Sequence, residues 1–359
     1  FRKEGFTEWN SSPYLPIDTL GFGSLYAFAQ DPAMRELGRE GMDFAYYLLA
    51  VHSQQGIFAS SSGRTYIKEQ FGNWSNCPSG LSWIGYGYGV PGHAGKGITS
   101  YCLSDYEPPK EFAQWFSIPR SKEMICQTTQ GNDGYVDLYT YKTADYMMTS
   151  ANDFHPGEPG HQENPFQLTF NAVAQLWVTH PGERVLFGAA RPSYWAGNGT
   201  LPKVNQYKAF AGLIYDIAPE HPVDFTHLYL PSMEFDRCEV EGKWAFVQLG
   251  SAYAAVYCSN GMRMQDFGSN KDRECITEGR RCIWLVRAAQ ADEFAAFEDF
   301  KAAMRGAALD ADAEGRRYRF VDPVYGELRC QWGETLYVND APMQYSGFDN
   351  YGKLTMQEK

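Results

Sequence analysis

The sequence predicts an α+β chain: a helical region over residues 1–115, then an antiparallel β-sandwich over residues 116–359 with one inserted helix. Three observations carry that reading. Residues 14–56 space their apolar side chains by three and four, the period of a helix with one buried face. Beyond about residue 116, short alternating runs separated by turn residues dominate. A chain of 359 residues, 44% hydrophobic and 16% aromatic, is too apolar for disorder and too long for one core of ordinary size.

The first helix runs from about Ile17 to Gln30 and carries Leu20, Leu25 and Phe28. Asp31-Pro32 is an N-cap and first-turn pair for a second. There Met34, Leu37, Met42, Ala45, Leu48, Leu49 and His52 mark one face up to Gly56, so the two helices form a hairpin. From Gly56 to Gly97 the chain is rich in Gly, Ser and Tyr and reads as long surface loops, where sites concentrate. Tyr135–Tyr141 alternates as a strand. Trp244–Leu249 and Ala252–Tyr257 form a hairpin across Gly250-Ser251. Further strands are expected at Cys282–Val286, Tyr318–Val321, Glu327–Trp332 and Thr335–Val338, with a helix over Ala291–Arg305 before the last three.

Charge narrows the function classes. The net charge of −12, from 31 basic and 43 acidic residues, repels nucleic acid and anionic membranes. No run approaches the roughly 20 apolar residues that a membrane-spanning helix needs, the most apolar being Phe44–Val51. The eight cysteines contain no CxxC pair. Sequons at Asn10, Asn73 and Asn198 are close to chance. Gly89–Gly97 fails as a phosphate-binding loop, because the earlier glycine is missing in the required register and Gly97 stands where Ser or Thr is required. Gly80-Leu81-Ser82-Trp83-Ile84 fails as a nucleophile elbow at Ile84. The chain opens at Phe1 without a Met or a signal-peptide pattern, so it reads as processed or truncated.

Three segments concentrate polar chemistry. Gly5–Tyr14, with Glu8, Asn10, Ser11, Ser12 and Pro13, precedes the first helix and would serve equally as its cap. Gly63-Arg64-Thr65-Tyr66-Ile67-Lys68 puts a guanidinium beside a phenol. A cation favours phenolate, which a tyrosine general base requires; the plain alternative is a packed tyrosine beside a solvated arginine. Asp153–Asn164 carries His155, Glu158, His161 and Glu163, without the ligand spacing of a known metal site.

In their order along the chain these segments resemble the heparinase II/III-like polysaccharide lyases. Glu8–Tyr14 is similar to the segment that opens a toroid helix in one branch, Arg64–Tyr66 falls where the catalytic tyrosine lies, 56 residues after Asn10, and His161–Phe170 is similar to the segment that supplies a histidine early in the sandwich. Arg191–Gln206, with Trp195, Asn198 and Lys203, resembles a further recurrent segment. The usual His-x-His-Ala-Asp pattern is absent, with Glu163 and Asn164 in its place, which leaves His161 and His155 as alternatives.

The resemblance implies a partial α/α toroid followed by a β-sandwich, with earlier toroid helices upstream or on another chain, or a homo-oligomer. It implies β-elimination on a uronic-acid-containing polysaccharide. Asn10, helped by His161 or His155, would neutralise the carboxylate, and Tyr66, tuned by Arg64, would take the C5 proton. Glu8, Tyr14, Lys68, Glu163, Arg191 and Asn198 would contact substrate. Trp74, Trp83 and Trp195, with Trp9, Tyr86 and Tyr88, would stack on sugars. Arg64, Lys68, Arg191 and Lys203 would make the cleft locally basic. No cofactor is implied, although a structural divalent metal in the sandwich is compatible. No nucleic-acid or membrane partner is expected, and the setting would be secreted or periplasmic. Two other readings stand beside this one: a glycoside hydrolase using Glu8 and Glu163, and a non-catalytic carbohydrate-binding or assembly protein.

Overall fold

The computed structural model describes residues 1–71, 74, 76–91, 96–131, 133–186 and 188–359. Asn73 lies outside them. The architecture is an α+β mix of helices and antiparallel sheets.

The chain begins with an antiparallel pair, α1 (Leu15–Phe28) and α2 (Pro32–Val51). Asp31 caps α2 by accepting from the Ala33 amide at 2.9 Å, and Pro32 takes the first turn. Gly38 and Gly41 let the two helices touch. A Cβ at Gly38 would lie 2.5 Å from the Tyr26 backbone nitrogen, and one at Gly41 2.2 Å from the Phe22 ring. The run Phe44–Val51 is buried throughout and packs with Met124 and Cys126 of the first long strand. Helix and sheet thus share one core.

Between residues 53 and 116 the chain is less irregular than its composition predicts. A small hairpin pairs Ser53–Gln54 with Ile57–Phe58. Then come α3 (Ile67–Gln70), α4 (Ser79–Tyr86), α5 (Ile98–Cys102) and α6 (Ala113–Phe116). These helices are too short to show a 3.6-residue period in sequence. Local chemistry bounds α4 instead, with Pro78 before it and Gly87 at a φ of 72° after it.

The strands form three large sheets, every neighbouring pair antiparallel. The nine-stranded sheet runs in space Arg263–Met264, Glu274–Glu278, Phe225–Tyr229, Gln175–Thr179, Phe166–Thr169, Met147–Asn152, Val136–Lys142, Lys122–Gln130, Lys353–Glu358. The six-stranded sheet runs Arg237–Glu241, Trp244–Leu249, Ala252–Cys258, Arg281–Gln290, Phe210–Asp216, Lys203–Tyr207. One core joins the two: Phe166, Leu176 and Leu228 from the first meet Leu213, Phe246 and Trp284 from the second. A five-stranded meander covers residues 309–342. The inserted helix, α7 (Phe297–Gly306), starts six residues later than its composition predicts. Among the described residues no helix is long and apolar enough to cross a membrane, and the eight cysteines are free thiols.

Candidate functional site

The site forms where three loops meet. Trp9 is buried against Gly63, whose amide donates to the Trp9 carbonyl at 2.8 Å; a Cβ on Gly63 would come within 2.6 Å of the indole nitrogen. The Ser11 hydroxyl donates to the Arg64 carbonyl at 3.3 Å. Ser62 and Asn164 exchange both backbone hydrogen bonds, at 2.9 and 2.8 Å, and the Thr65 amide donates to the Gln162 carbonyl at 3.0 Å. These bonds fix the backbone that leads into Tyr66.

Tyr14, at the start of α1, and Tyr66, at the start of α3, place their hydroxyls 3.2 Å apart. Arg64 ties the pair together. One of its amino groups donates to Glu8 at 2.6 Å and the other to the Tyr66 hydroxyl at 3.3 Å. Its guanidinium lies 4.9 Å from the Tyr14 ring centre, and the Arg191 guanidinium 5.6 Å from that of Tyr66. The hydrogen bond from Tyr14, then that from Arg64, hold the Tyr66 phenol below its ordinary pKa. The same bond raises Tyr14. Two adjacent phenols are thereby pushed apart in acidity.

Both tyrosines line an open pocket of about 730 Å³. Ile17, Ile67 and Ala196 add apolar surface, while Lys68, Lys96 and Arg191 bring positive charge against one acid among the described lining residues, Glu69. Locally, then, the sign of the molecule's charge is reversed. Lys96, Glu69 and Gln162 are residues that sequence reasoning did not assign to the site. Lys96 stood in a loop read only against the phosphate-binding pattern, and Gln162 adjoins His161. Asp18, one helical turn after Tyr14, is not among the lining residues; burial, then the nearby Glu8, push its carboxyl up to about 6.

Other expected site residues lie elsewhere. Asn10 is 2% exposed, at a φ of 47°, with its amide donating to the Ser61 carbonyl at 3.3 Å. It supports the loop rather than facing the pocket. His161 is exposed, its backbone amide bonded to the Glu163 carboxylate at 2.5 Å, and its neighbour Gln162 lines the pocket instead. His155 packs beside Phe154 and Tyr135, 3.5 Å from Glu158. Trp195 is no sugar platform: it is buried, stacked on His227 at 4.2 Å, with its indole bonded to Asn270 at 3.4 Å. Asn198 is buried with both ends of its amide in use, toward His180, Tyr215 and Glu163. Lys203 is buried in an ion pair with Asp153 and adds nothing to the basic cleft. Tyr86 and Tyr88 pack against Phe116. Trp74 and Trp83 are exposed but are not among the residues lining the pocket.

A second polar centre is internal. His227 bonds Glu274 at 2.6 Å and Thr179 at 2.7 Å, while Tyr194 and Asn270 also bond Glu274. Fully buried, it ties strands together. Among the described residues no three His, Cys, Asp or Glu side chains are grouped to hold a metal ion. No family model and no curated protein matches this chain.

Proposed function

We propose that this protein is a polysaccharide lyase that cleaves a uronic-acid-containing polysaccharide by β-elimination, on a partial α/α toroid joined to a β-sandwich. The observation that carries the reading is Tyr66: a phenol of lowered pKa, bonded to Arg64 and Tyr14, on the wall of a pocket with net positive lining. A C5 proton α to a carboxylate becomes removable once that carboxylate is neutralised. Arg191, with Lys96 and Lys68 also lining the pocket, supplies that charge in place of Asn10. Tyr66 phenolate takes the C5 proton, the C5–H electron pair enters the carboxylate as an enediolate, and the C4–O4 bond then breaks as the C4=C5 double bond forms. The departing O4 receives a proton from Tyr66, or from Tyr14 beside it.

The helical hairpin and the core shared by two sheets support the toroid-and-sandwich likeness. Exposed Leu20 and Phe28 on α1 are apolar surface that further toroid helices or a second copy would cover. A polymeric substrate of this kind places the protein in a secreted or periplasmic setting. The hydrolase alternative is weaker, because Glu8 is held by Arg64 and Glu163 by the His161 amide.

Tyr66→Phe tests the proposal. It is expected to lower release of the ultraviolet-absorbing unsaturated product by about 10²–10⁴-fold with the fold intact by circular dichroism. Turnover equal to the wild type would end the lyase reading. Reducing ends without the chromophore would favour hydrolysis, and binding without turnover a carbohydrate-binding protein.

A further inference from the structure

Two hollows of about 550 and 360 Å³ open on the β-rich part of the chain, and the half-buried Trp332 lines both. Neither shares a described lining residue with the pocket at Tyr66. Three segments meet there: residues 153–157, the end of strand Phe210–Asp216 with Ile217–Pro219 after it, and the turn that follows strand Gly326–Gln331. Asp153 and Pro156 line the smaller hollow and Gly157 the larger. In this short wall Asp153, His155 and Gly157 have φ of 50°, 46° and 84°, left-handed backbone of the kind that gathers at binding sites. A Cβ on Gly157 would lie 3.2 Å from Trp332 Cζ2, and the Arg316 guanidinium lies over the indole, 5.4 Å from its centre. These contacts hold the ring where the two hollows join.

The charged groups around the ring are matched among themselves. Arg281 donates to Asp216 at 2.8 Å and to Glu314 at 2.7 Å. Lys203 is paired with Asp153. Arg280 donates to the Ala218 and His221 carbonyls at 2.8 and 3.0 Å. With Glu334, four carboxylates stand against three cations among the described lining residues. This is the opposite of the Tyr66 pocket, and no spare positive charge is left for a carboxylate, sulfate or phosphate. A cationic ligand finds most of the carboxylates already engaged by Arg281 and Lys203. A purely apolar ligand would leave these polar groups unmet.

What remains on offer is an indole, the rings of Pro156 and Pro219, and carboxylate and guanidinium groups held in fixed directions. An uncharged pyranose matches that set: its C–H face packs on an aromatic ring, and its hydroxyls both donate and accept. We propose that the two hollows form a saccharide-binding site that holds an uncharged, extended oligosaccharide across Trp332, with linked units in both. Gly157 of this site and Gln162 of the Tyr66 pocket are five positions apart, so their backbones are separated by at most ~18 Å. One polysaccharide can therefore reach both. Binding at Trp332 needs nothing from the reaction proposed at Tyr66.

Calorimetric titration with cellohexaose, mannohexaose and xylohexaose tests the site, whether or not the protein proves to be a lyase. At least one of the three is expected to bind saturably, and Trp332→Ala should weaken that binding by roughly 10-fold while keeping its circular dichroism. Tetragalacturonate should not displace the neutral ligand. No binding of any of the three, equal affinity in Trp332→Ala, or displacement by tetragalacturonate overturns the proposal. If Trp332→Ala does not fold, Trp332→Phe, with its smaller ring, should weaken binding severalfold, and an unchanged affinity overturns the site.

Discussion

At the scale of single residues, the acidity of Tyr66 depends on neighbours that come from another segment. Tyr14 precedes it by 52 residues, yet their hydroxyls are in hydrogen-bond reach. A donor to Tyr66 stabilises its phenolate, so loss of Tyr14's hydroxyl moves the Tyr66 pKa back up. Tyr14→Phe is therefore expected to shift the rising, base-dependent limb of the kcat/KM profile to higher pH. At neutral pH it should cost about 10–100-fold, the worth of one hydrogen bond to a charged group. An unchanged limb with reduced kcat would make Tyr14 a substrate contact alone. The Arg64–Tyr66 pair was legible in sequence because the two are only two residues apart. Arg191 was legible only as part of a resembling segment, and Lys96 and Tyr14's tuning role depend on folding.

At the scale of elements, the end of α2 is docked on the nine-stranded sheet by a buried cation. Lys142, at the end of Val136–Lys142, has no exposed surface and donates to the Ala50 carbonyl at 2.9 Å and the Trp115 carbonyl at 2.6 Å. It thus satisfies one of the carbonyls that a helix C-terminus leaves open. Burial pushes its amine down to about 7, against an ordinary lysine near ~10.4. The folded state then holds fewer protons than the unfolded one between those values. Stability from this group is lowest below about pH 7 and rises as pH climbs toward ~10. Lys142→Met should abolish that rise and leave two carbonyls unpaired, at about 1–3 kcal/mol each. Relief of a buried charge offsets part of that cost at pH 7. Urea unfolding of wild type and variant at about pH 7 and about pH 9 measures both effects. A variant that keeps the wild-type slope would assign it to another group. His52, in the same contact and pushed by burial to about 3, stays neutral throughout this range.

At the scale of the whole molecule, the helical hairpin and several strands were legible because their periods repeat over enough residues. The cap at Asp31, the buried run Phe44–Val51 and the hairpin around Gly250-Ser251 are local facts. The short helices α3 to α6 were not, and neither were strands such as Gln175–Thr179, which is buried on both faces and does not alternate. Trp195 and Asn198 looked functional in sequence because burial cannot be read from residue type. Charge shows the same division between local and global. The net −12 sets a long-range field that repels a polyanion, whereas Lys68, Lys96 and Arg191 attract a carboxylate only within the pocket. Salt should separate the two effects on the proposed uronate substrates. At about 10 mM the Debye length is ~30 Å and the acidic exterior opposes a long, many-charged chain; at about 150 mM it is ~8 Å and that repulsion is screened. A short oligosaccharide carries too few charges to feel the exterior strongly, and chiefly loses pocket attraction as salt rises. The ratio of kcat/KM for polymer over short oligosaccharide is therefore expected to increase severalfold across this range. A ratio that falls with salt would mean that the positive field extends well beyond the pocket, and that the exterior near the cleft is not the repulsive surface its composition predicts.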